Sequence, residues 1–327
     1  MNFPSRSLHT PALFGLVLCN ALWALSFPLV KGIVFAHQQV LPGSGSWFVT
    51  ACAIAPRFLL ATAVLALILG RSLRDLRRSE LKQGFLIGLA ASGGMLFQND
   101  GLQFTSASTS AFLTQFSAIM IPLWVALRIR RWPSPVTWVA CLLVLAGVGV
   151  LAGVDPRTLR LGRGELETLV CSVFFMLQIF ALGSKDGAGN RTLPVTITMF
   201  ATEAVIFSVM ALATAPHAAD VLVPWTSPIW VGCTIALTVF CTLGAFTLMN
   251  KWQPFITPTE AGLIYCLEPV FTASLALFLP ALLSGWGGFD YPNETATFAL
   301  LAGGGLITVA NVLIQLRPPS PPASGEV

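Results

Sequence analysis

The chain contains 327 residues, of which 55% are hydrophobic and only 10% are charged, and its mean hydropathy is +0.78. Soluble globular domains carry about 25% charged residues, so this composition excludes a protein with a water-facing surface on all sides. The net charge of +4 is small, and the placement of the charges along the chain is more informative than their sum.

Ten apolar segments are long enough to cross a membrane as helices, because about 20 helical residues span the hydrocarbon core. Backbone groups that face lipid must be hydrogen-bonded within the segment, which favours helices. The sequence therefore predicts an all-α integral membrane protein with about ten transmembrane helices. The predicted spans are residues 12–35, 47–69, 83–103, 107–127, 136–153, 166–184, 195–214, 228–249, 259–279 and 296–316.

The loops between these spans differ in positive charge. Thirteen lysines and arginines fall on one side of the predicted membrane and four on the other, and residues 71–82 contain five of the thirteen. Cytoplasmic loops of membrane proteins carry the excess of Lys and Arg. We therefore expect both termini on the cytoplasmic side, with the protein in the inner membrane of the cell. The predicted cytoplasmic tails are residues 1–11 and residues 317–327. The second tail is rich in Pro and Ser and is expected to be disordered.

Two similar segments indicate an internal repeat. Residues 103–109 (QFTSAST) and 253–259 (QPFITPT) lie 150 residues apart, and each joins the third and fourth predicted span of its half. Since five is an odd number of spans, the second half enters the membrane in the opposite direction, an arrangement common in secondary transporters. The predicted halves are residues 12–153 and 166–316, joined by an outer linker, residues 154–165.

Three charged residues are expected near the middle of the membrane. Arg57 lies ten residues past Trp47, about 15 Å deep at roughly 1.5 Å per residue. Glu203 and Glu268 come out at a similar depth. Charges there are costly and are functional candidates by default, although Arg57 could also simply pair with one glutamate. Asp100 is expected near the outer surface, where it would be solvated.

Polar and aromatic residues in the middle of spans predict the lining of a solute cavity. We expect Glu203, Glu268 and Pro269 to take part in coupling or gating. The predicted binding residues are Trp23, Ser26, Phe27, Arg57, Gln98, Gln115, Gln178 and Tyr265.

Cysteine and histidine spacing predicts neither a disulfide framework nor a metal site. The seven cysteines lie in apolar runs without a CxxC pair, and His9, His37 and His217 fall in the N-terminal tail or in predicted loops. No metal, cofactor or catalytic residue is predicted, and the protein is not expected to be an enzyme.

Several segments together resemble one family. They are residues 22–31 (LWALSFPLVK), 56–58 (PRF), 101–108 (GLQFTSAS) with 111–114 (AFLT), and 261–271 (AGLIYCLEPVF). In order and spacing, residues 12–316 are similar to EamA-type transporters of the drug/metabolite transporter superfamily. The resemblance implies ten helices, two repeats and alternating access for small organic solutes. The chain departs from the family after the ninth span, where a long outer loop, residues 280–292, replaces the usual Gly-Glu pair.

The first hypothesis is therefore a secondary transporter, most simply an exporter, of an amino acid, metabolite or drug. The alternatives are an antiporter of phosphorylated or nucleotide-linked sugars, a membrane-embedded enzyme and a non-transporting membrane scaffold. The expected partners are the solute and the lipid bilayer, with a homodimer open and no nucleic acid.

Overall fold

A computed structural model describes residues 6–105, 110, 113–130, 132–151, 162–295 and 298–315. In these residues the secondary structure is helical and contains no strand, which confirms the predicted all-α class. The α-helices are α1 (Arg6–Ala24), α2 (Ser26–Val40), α3 (Ser46–Leu69), α4 (Arg78–Gly101), α5 (Ser117–Ile129), α6 (Pro135–Leu151), α7 (Arg163–Leu182), α8 (Thr192–Thr214), α9 (Pro228–Ala236), α10 (Ala245–Trp252), α11 (Pro258–Tyr265), α12 (Glu268–Ala276), α13 (Leu279–Gly287) and α14 (Phe298–Gln315).

Five helical stretches are long and apolar enough to cross a membrane: Leu8–Val40, Ser46–Asp75, Arg163–Leu182, Thr192–Thr214 and Pro228–Phe255. A sixth is present if α11–α12 and α13, which are bent by 55°, form one span. Helix α4 has polar residues at both ends, and the apolar parts of α5, α6 and α14 are 10–17 residues long in the described chain. The protein is thus a multi-pass membrane protein, and the count of ten spans stays a prediction.

Three predicted boundaries differ from the structure. The segment predicted as a long outer loop, residues 280–292, contains α13, which starts with Pro280 in its first turn and packs against α2. Helix α7 begins at Arg163 rather than 166, because Glu165 accepts a hydrogen bond from the Gly162 N–H and caps the helix. Helix α1 begins at Arg6, inside the predicted tail. Residues 152–161 of the linker and the tail 317–327 lie outside the described residues.

The helices of the two predicted halves pack in a reciprocal pattern. The α1–α2 pair packs against α9–α10, and α4 packs against α7, so the first span contacts the eighth and the third contacts the sixth. Helix α3 packs along α8, α5 along α11 and α6 along α14. Exchanging the two halves reproduces the same set of pairs, which is the pattern that two repeats related by a twofold axis would give.

Glycines allow the closest of these contacts. A Cβ atom at Gly84 or Gly88 on α4 would lie 2.6 and 2.8 Å from backbone carbonyl oxygens of α8. These distances are shorter than side chains tolerate, so the two glycines are helix-packing positions inside the chain.

Candidate functional site

A cavity that is partly open to the surroundings lies where helices of both predicted halves meet. All eight residues predicted to bind a solute line this cavity, although they come from six different predicted spans. They are Trp23, Ser26, Phe27, Arg57, Gln98, Gln115, Gln178 and Tyr265. Their convergence is a geometric fact, and their part in solute binding stays a prediction.

Of the three residues predicted to act in coupling or gating, the cavity contains one. Glu268 lies in its wall as the first residue of α12. Glu203 on α8 is fully buried and does not line the cavity, and Pro269 is buried beside Glu268. The three mid-membrane charges therefore do not form one cluster at the cavity surface.

Sequence reasoning missed several lining residues that helical periodicity could have supplied. Met95 and Leu102 lie three residues before and four after Gln98, and Phe175 lies three before Gln178. Residues at these spacings share one helix face. The other lining residues not predicted are Val30, Asn99, Thr114, Ser117, Ile179, Phe246 and Met249.

Four helical runs are interrupted beside the cavity. Leu25 separates α1 from α2, Gln115–Phe116 precede α5, and Cys266–Leu267 separate α11 from α12. The fourth interruption is a π-helical segment, Leu237–Gly244, between α9 and α10. The breaks at 115–116 and 266–267 fall about 150 residues apart, at corresponding places in the two halves. Interrupted helices expose backbone groups and commonly form solute sites in transporters.

Aromatic rings form one wall of the cavity. The Trp23 ring lies 5.2 Å from the Phe246 ring in an edge-to-face arrangement and 5.5 Å from the Tyr265 ring. The Tyr265 hydroxyl donates a 2.8 Å hydrogen bond to Gln253 Oε1. This wall offers apolar contact area with fixed ring orientations.

A polar cluster, which we call the Asp100 junction, closes the end of α4. Asp100 is 1% exposed, and its carboxylate accepts hydrogen bonds from Arg163 on α7 and from Thr50 on α3. Gln103 donates to Thr50 Oγ1 at 2.9 Å and also to the Ser46 carbonyl. The expectation that Asp100 would be solvated is therefore wrong, because a helix from the other half covers and pairs it.

A matching cluster, the Asn250 junction, lies at the opposite end of the bundle. Asn250 donates to Thr196 Oγ1 on α8 at 2.9 Å, and Gln253 donates to the Ile179 carbonyl of α7 at 2.9 Å. Asn250 and Gln253 are each 150 residues after Asp100 and Gln103, and Thr196 corresponds to Thr50 as the hydroxyl partner. Both junctions thus pair an Asp or Asn with a threonine of a neighbouring helix, but the first carries a charge at that position and Gln253 bonds a backbone carbonyl instead of the threonine.

A second ion pair joins the start of α4 to the start of α8. Arg191 Nε donates to the fully buried Glu80 carboxylate at 2.7 Å, and the Arg77 N–H donates to it as well. The Arg191 hydrogen bond is the main reason why the pKa of Glu80 is lowered to about 2. The pair fixes the two halves to each other at the Asn250 end of the bundle.

Within the described residues, no group of three or more His, Cys, Asp or Glu side chains is arranged to hold a metal ion. His37 was expected in a loop but lies fully buried in α2, edge-to-face with Phe48. The described part of the chain therefore offers no metal site beside the cavity.

Comparison with known proteins supports the same class. Residues 10–153 match the model of the EamA-like transporter family. An uncharacterized transporter of Archaeoglobus fulgidus is 25% identical over 305 residues, which cover 93% of this chain and 85% of that protein. A solved structure, titled only as the crystal structure of a protein, matches with a TM-score of 0.63 and 19% identity and covers 95% of this chain and 98% of its own.

The family match covers almost the whole predicted first half, and the chain shares its fold with the solved structure over 95% of its length. The resemblance inferred from the sequence motifs is confirmed by this match. The protein is a helical, multi-pass membrane protein whose residues 10–153 match the EamA-like transporter family.

Proposed function

We propose that this protein is a secondary transporter that carries a small organic solute through the cavity by alternating access. The observation that carries the proposal is the cavity itself: polar and aromatic residues from both halves meet there, beside four interrupted helical runs. Such a site at a repeat interface is typical of secondary transporters. The relative from Archaeoglobus fulgidus, named a transporter, supports the same class.

Alternating access needs two ends that can open in turn. The halves are linked at both ends of the bundle, by the Asp100–Arg163 pair in the Asp100 junction and by the Glu80–Arg191 pair at the Asn250 end. In the proposed mechanism the halves separate at one end while the other end stays closed, and they rock about the cavity between the two ends. The basic loops favour cytoplasmic termini and place the Asp100 junction at the outer face.

Export is the proposed direction, and Glu268 is the proposed coupling residue. As an ionisable group in the cavity wall, Glu268 could exchange a proton with whichever face the cavity is open to. Glu203, buried behind the cavity wall, and Pro269, which follows Glu268, are proposed to influence gating through the helices that carry them.

The test is solute flux into proteoliposomes across a panel of amino acids and metabolites, with and without a proton gradient. Saturable counterflow would support transport, whereas chemical conversion of a solute would indicate an enzyme. Ser26→Trp, which fills the cavity, should abolish counterflow, and Ser274→Trp on the exposed face of α12 is its matched control. Absence of counterflow for the whole panel, in a folded protein, would contradict the proposal.

A further inference from the structure

The Arg57 side chain lines the cavity, and its terminal amino groups make no hydrogen bond to a residue that the structure describes. Arg57 is 2% exposed and lines the cavity, and only its Nε atom makes a hydrogen bond to a described residue. The guanidinium also lies 5.4 Å from the Phe58 ring, which contributes no hydrogen-bond acceptor. The two terminal amino groups of Arg57, which lie parallel in the guanidinium plane, thus remain available as hydrogen-bond donors in the cavity.

Thr242 fixes the orientation of this guanidinium. Its hydroxyl oxygen accepts the hydrogen bond from Arg57 Nε at 2.5 Å, and the Thr242 side chain is fully buried. Thr242 belongs to the π-helical segment Leu237–Gly244, whose wider turn displaces side chains relative to an α-helix. Thr238, one turn earlier, instead bonds the carbonyl of Thr234 within its own helix. Only one of the two buried hydroxyls in this segment therefore holds the arginine.

Glu203 does not line the cavity and lies on α8, which packs along α3, the helix that carries Arg57. No direct ion pair joins the two residues in the described part of the chain. Both Glu203 oxygens are buried and lack a hydrogen-bond partner among the described residues. The glutamate thus lies in the helix next to the arginine without occupying the terminal amino groups of Arg57.

We propose that the cavity contains an anion subsite in which Arg57 binds a carboxylate of the solute, with Thr242 and Glu203 as positioning residues. The inference rests on the proposed function and adds the chemical class of the solute. Arg57 is the one cation among the described lining residues, and Glu268 is the one carboxylate. A single guanidinium matches one planar carboxylate in a bidentate pair, whereas a phosphorylated sugar would need several converging cations.

The test measures binding to the purified protein by thermal stabilisation, with acetate, benzoate and phenylacetate compared with the amide of each acid. Because acid and amide share their shape, the ratio of their affinities reports the charge recognised. We expect at least one acid to bind more than about tenfold tighter than its amide, and Arg57→Lys to lower this ratio, because a lysine cannot form the bidentate pair. Equal affinities for acids and amides throughout would overturn the subsite.

The positioning residues are tested by the same ratio. Thr242→Val should lower it about fivefold, since the guanidinium loses its anchor, while Thr242→Ser should retain it. Thr238→Val removes the neighbouring hydroxyl of the π-helical segment and should leave the ratio unchanged. Glu203→Gln should raise acid affinity up to about threefold, most at high pH, because an amide cannot compete with the solute for Arg57 at any pH. No change in Thr242→Val, or no change in Glu203→Gln, would remove that residue from the proposal.

This equilibrium measurement is independent of flux. If a neutral solute shows counterflow but no acid binds more tightly than its amide, the anion subsite is wrong and the proposed transport function is retained. If acids bind selectively but no solute shows counterflow, the proposed transport function is wrong and the anion subsite is retained.

Discussion

Replacing Asp100 by Asn tests whether the Asp100 junction holds one end of the cavity closed. The Asp100 carboxylate on α4 accepts a hydrogen bond from Arg163 on α7, so the pair links the two predicted halves. Asn keeps the shape and the hydrogen-bonding capacity of the side chain but removes its charge. It also makes the junction resemble the Asn250 junction, where the corresponding residue is already an amide.

The expected size of the effect follows from the loss of charge alone. A hydrogen bond to a charged group contributes about 1.5–3 kcal/mol and a neutral one about 0.5–1.5 kcal/mol, so the change costs about 1 kcal/mol. Arg163 is 47% exposed, and solvent screening keeps the value at the lower end of that difference. A loss of about 1 kcal/mol shifts the closed–open equilibrium of this end roughly fivefold towards open.

The assay is the labelling rate of a cysteine in the cavity. Ser26→Cys places a thiol in the cavity wall, and a membrane-impermeant maleimide is applied to either face of vesicles in turn. The seven native cysteines are buried, so the unsubstituted protein gives the background. With Asp100→Asn added, labelling from the face of the Asp100 junction should accelerate about fivefold, because the rate follows the population of the open state.

Glu167→Gln is the matched control for this prediction. Glu167 pairs with the same arginine within α7, and its carboxylate also lies beside that of Asp100. Because like charges repel, removing the Glu167 charge breaks no attractive contact between the halves and should not accelerate labelling. Equal acceleration in Glu167→Gln and Asp100→Asn, or no acceleration in either, would refute the reasoning that the Asp100–Arg163 pair closes this end.

Glu268→Gln is expected to lower solute flux or to flatten its pH dependence between about pH 5 and pH 9, because glutamine cannot exchange a proton; an unchanged flux profile in proteoliposomes would exclude Glu268 from coupling. Glu80 has a folded-state pKa of about 2, below its usual 4.5, so its stabilising pair with Arg191 is complete above about pH 4.5 and is lost as the pH falls towards about 2. Thermal unfolding of Glu80→Gln should therefore show lower stability at neutral pH and a weaker acid dependence than the unsubstituted protein. Gly88→Ala should destabilise the protein by about 1–3 kcal/mol, as its Cβ would press on the α8 backbone. Gly285→Ala, which meets no atom within 4 Å, is its control in the same unfolding measurement.

The sequence allowed the cavity lining to be predicted because depth in a membrane can be counted along a helix. Once Trp23, Gln98 and Gln178 fall at similar depths in apolar spans, the cost of burying polar groups in lipid directs them towards one another. The reciprocal arrangement of the halves then leaves one common place for them, the interface. Fold class and cavity lining could be predicted for this reason without any knowledge of helix packing.

The pairing of individual side chains could not be predicted in the same way. Counting depth along the helices places Arg57 and Glu203 at one level in the membrane. It does not predict the hydrogen bond between Arg57 and Thr242, because the π-helical segment changes which residues of its span face α3. Depth likewise places Asp100 near an outer surface but does not show that α7 covers it. The bent α11–α13 run escaped prediction since Pro280, typical of loops, is equally favoured in the first turn of a helix.

Both junctions reach the cavity through helices that also carry lining residues, which suggests how opening an end would change the site. Gln98 and Asn99 directly precede Asp100, so movement at the Asp100 junction displaces part of the cavity wall. On the other side, Asn250 lies eight residues after Thr242 in one helical run, about 12 Å along its axis. In the proposed mechanism, separation of the halves at the Asn250 end would therefore move the Thr242 hydroxyl relative to Arg57, which it orients from the other half. Release of a carboxylate solute and opening of that end would then be one event, because a single helix controls both.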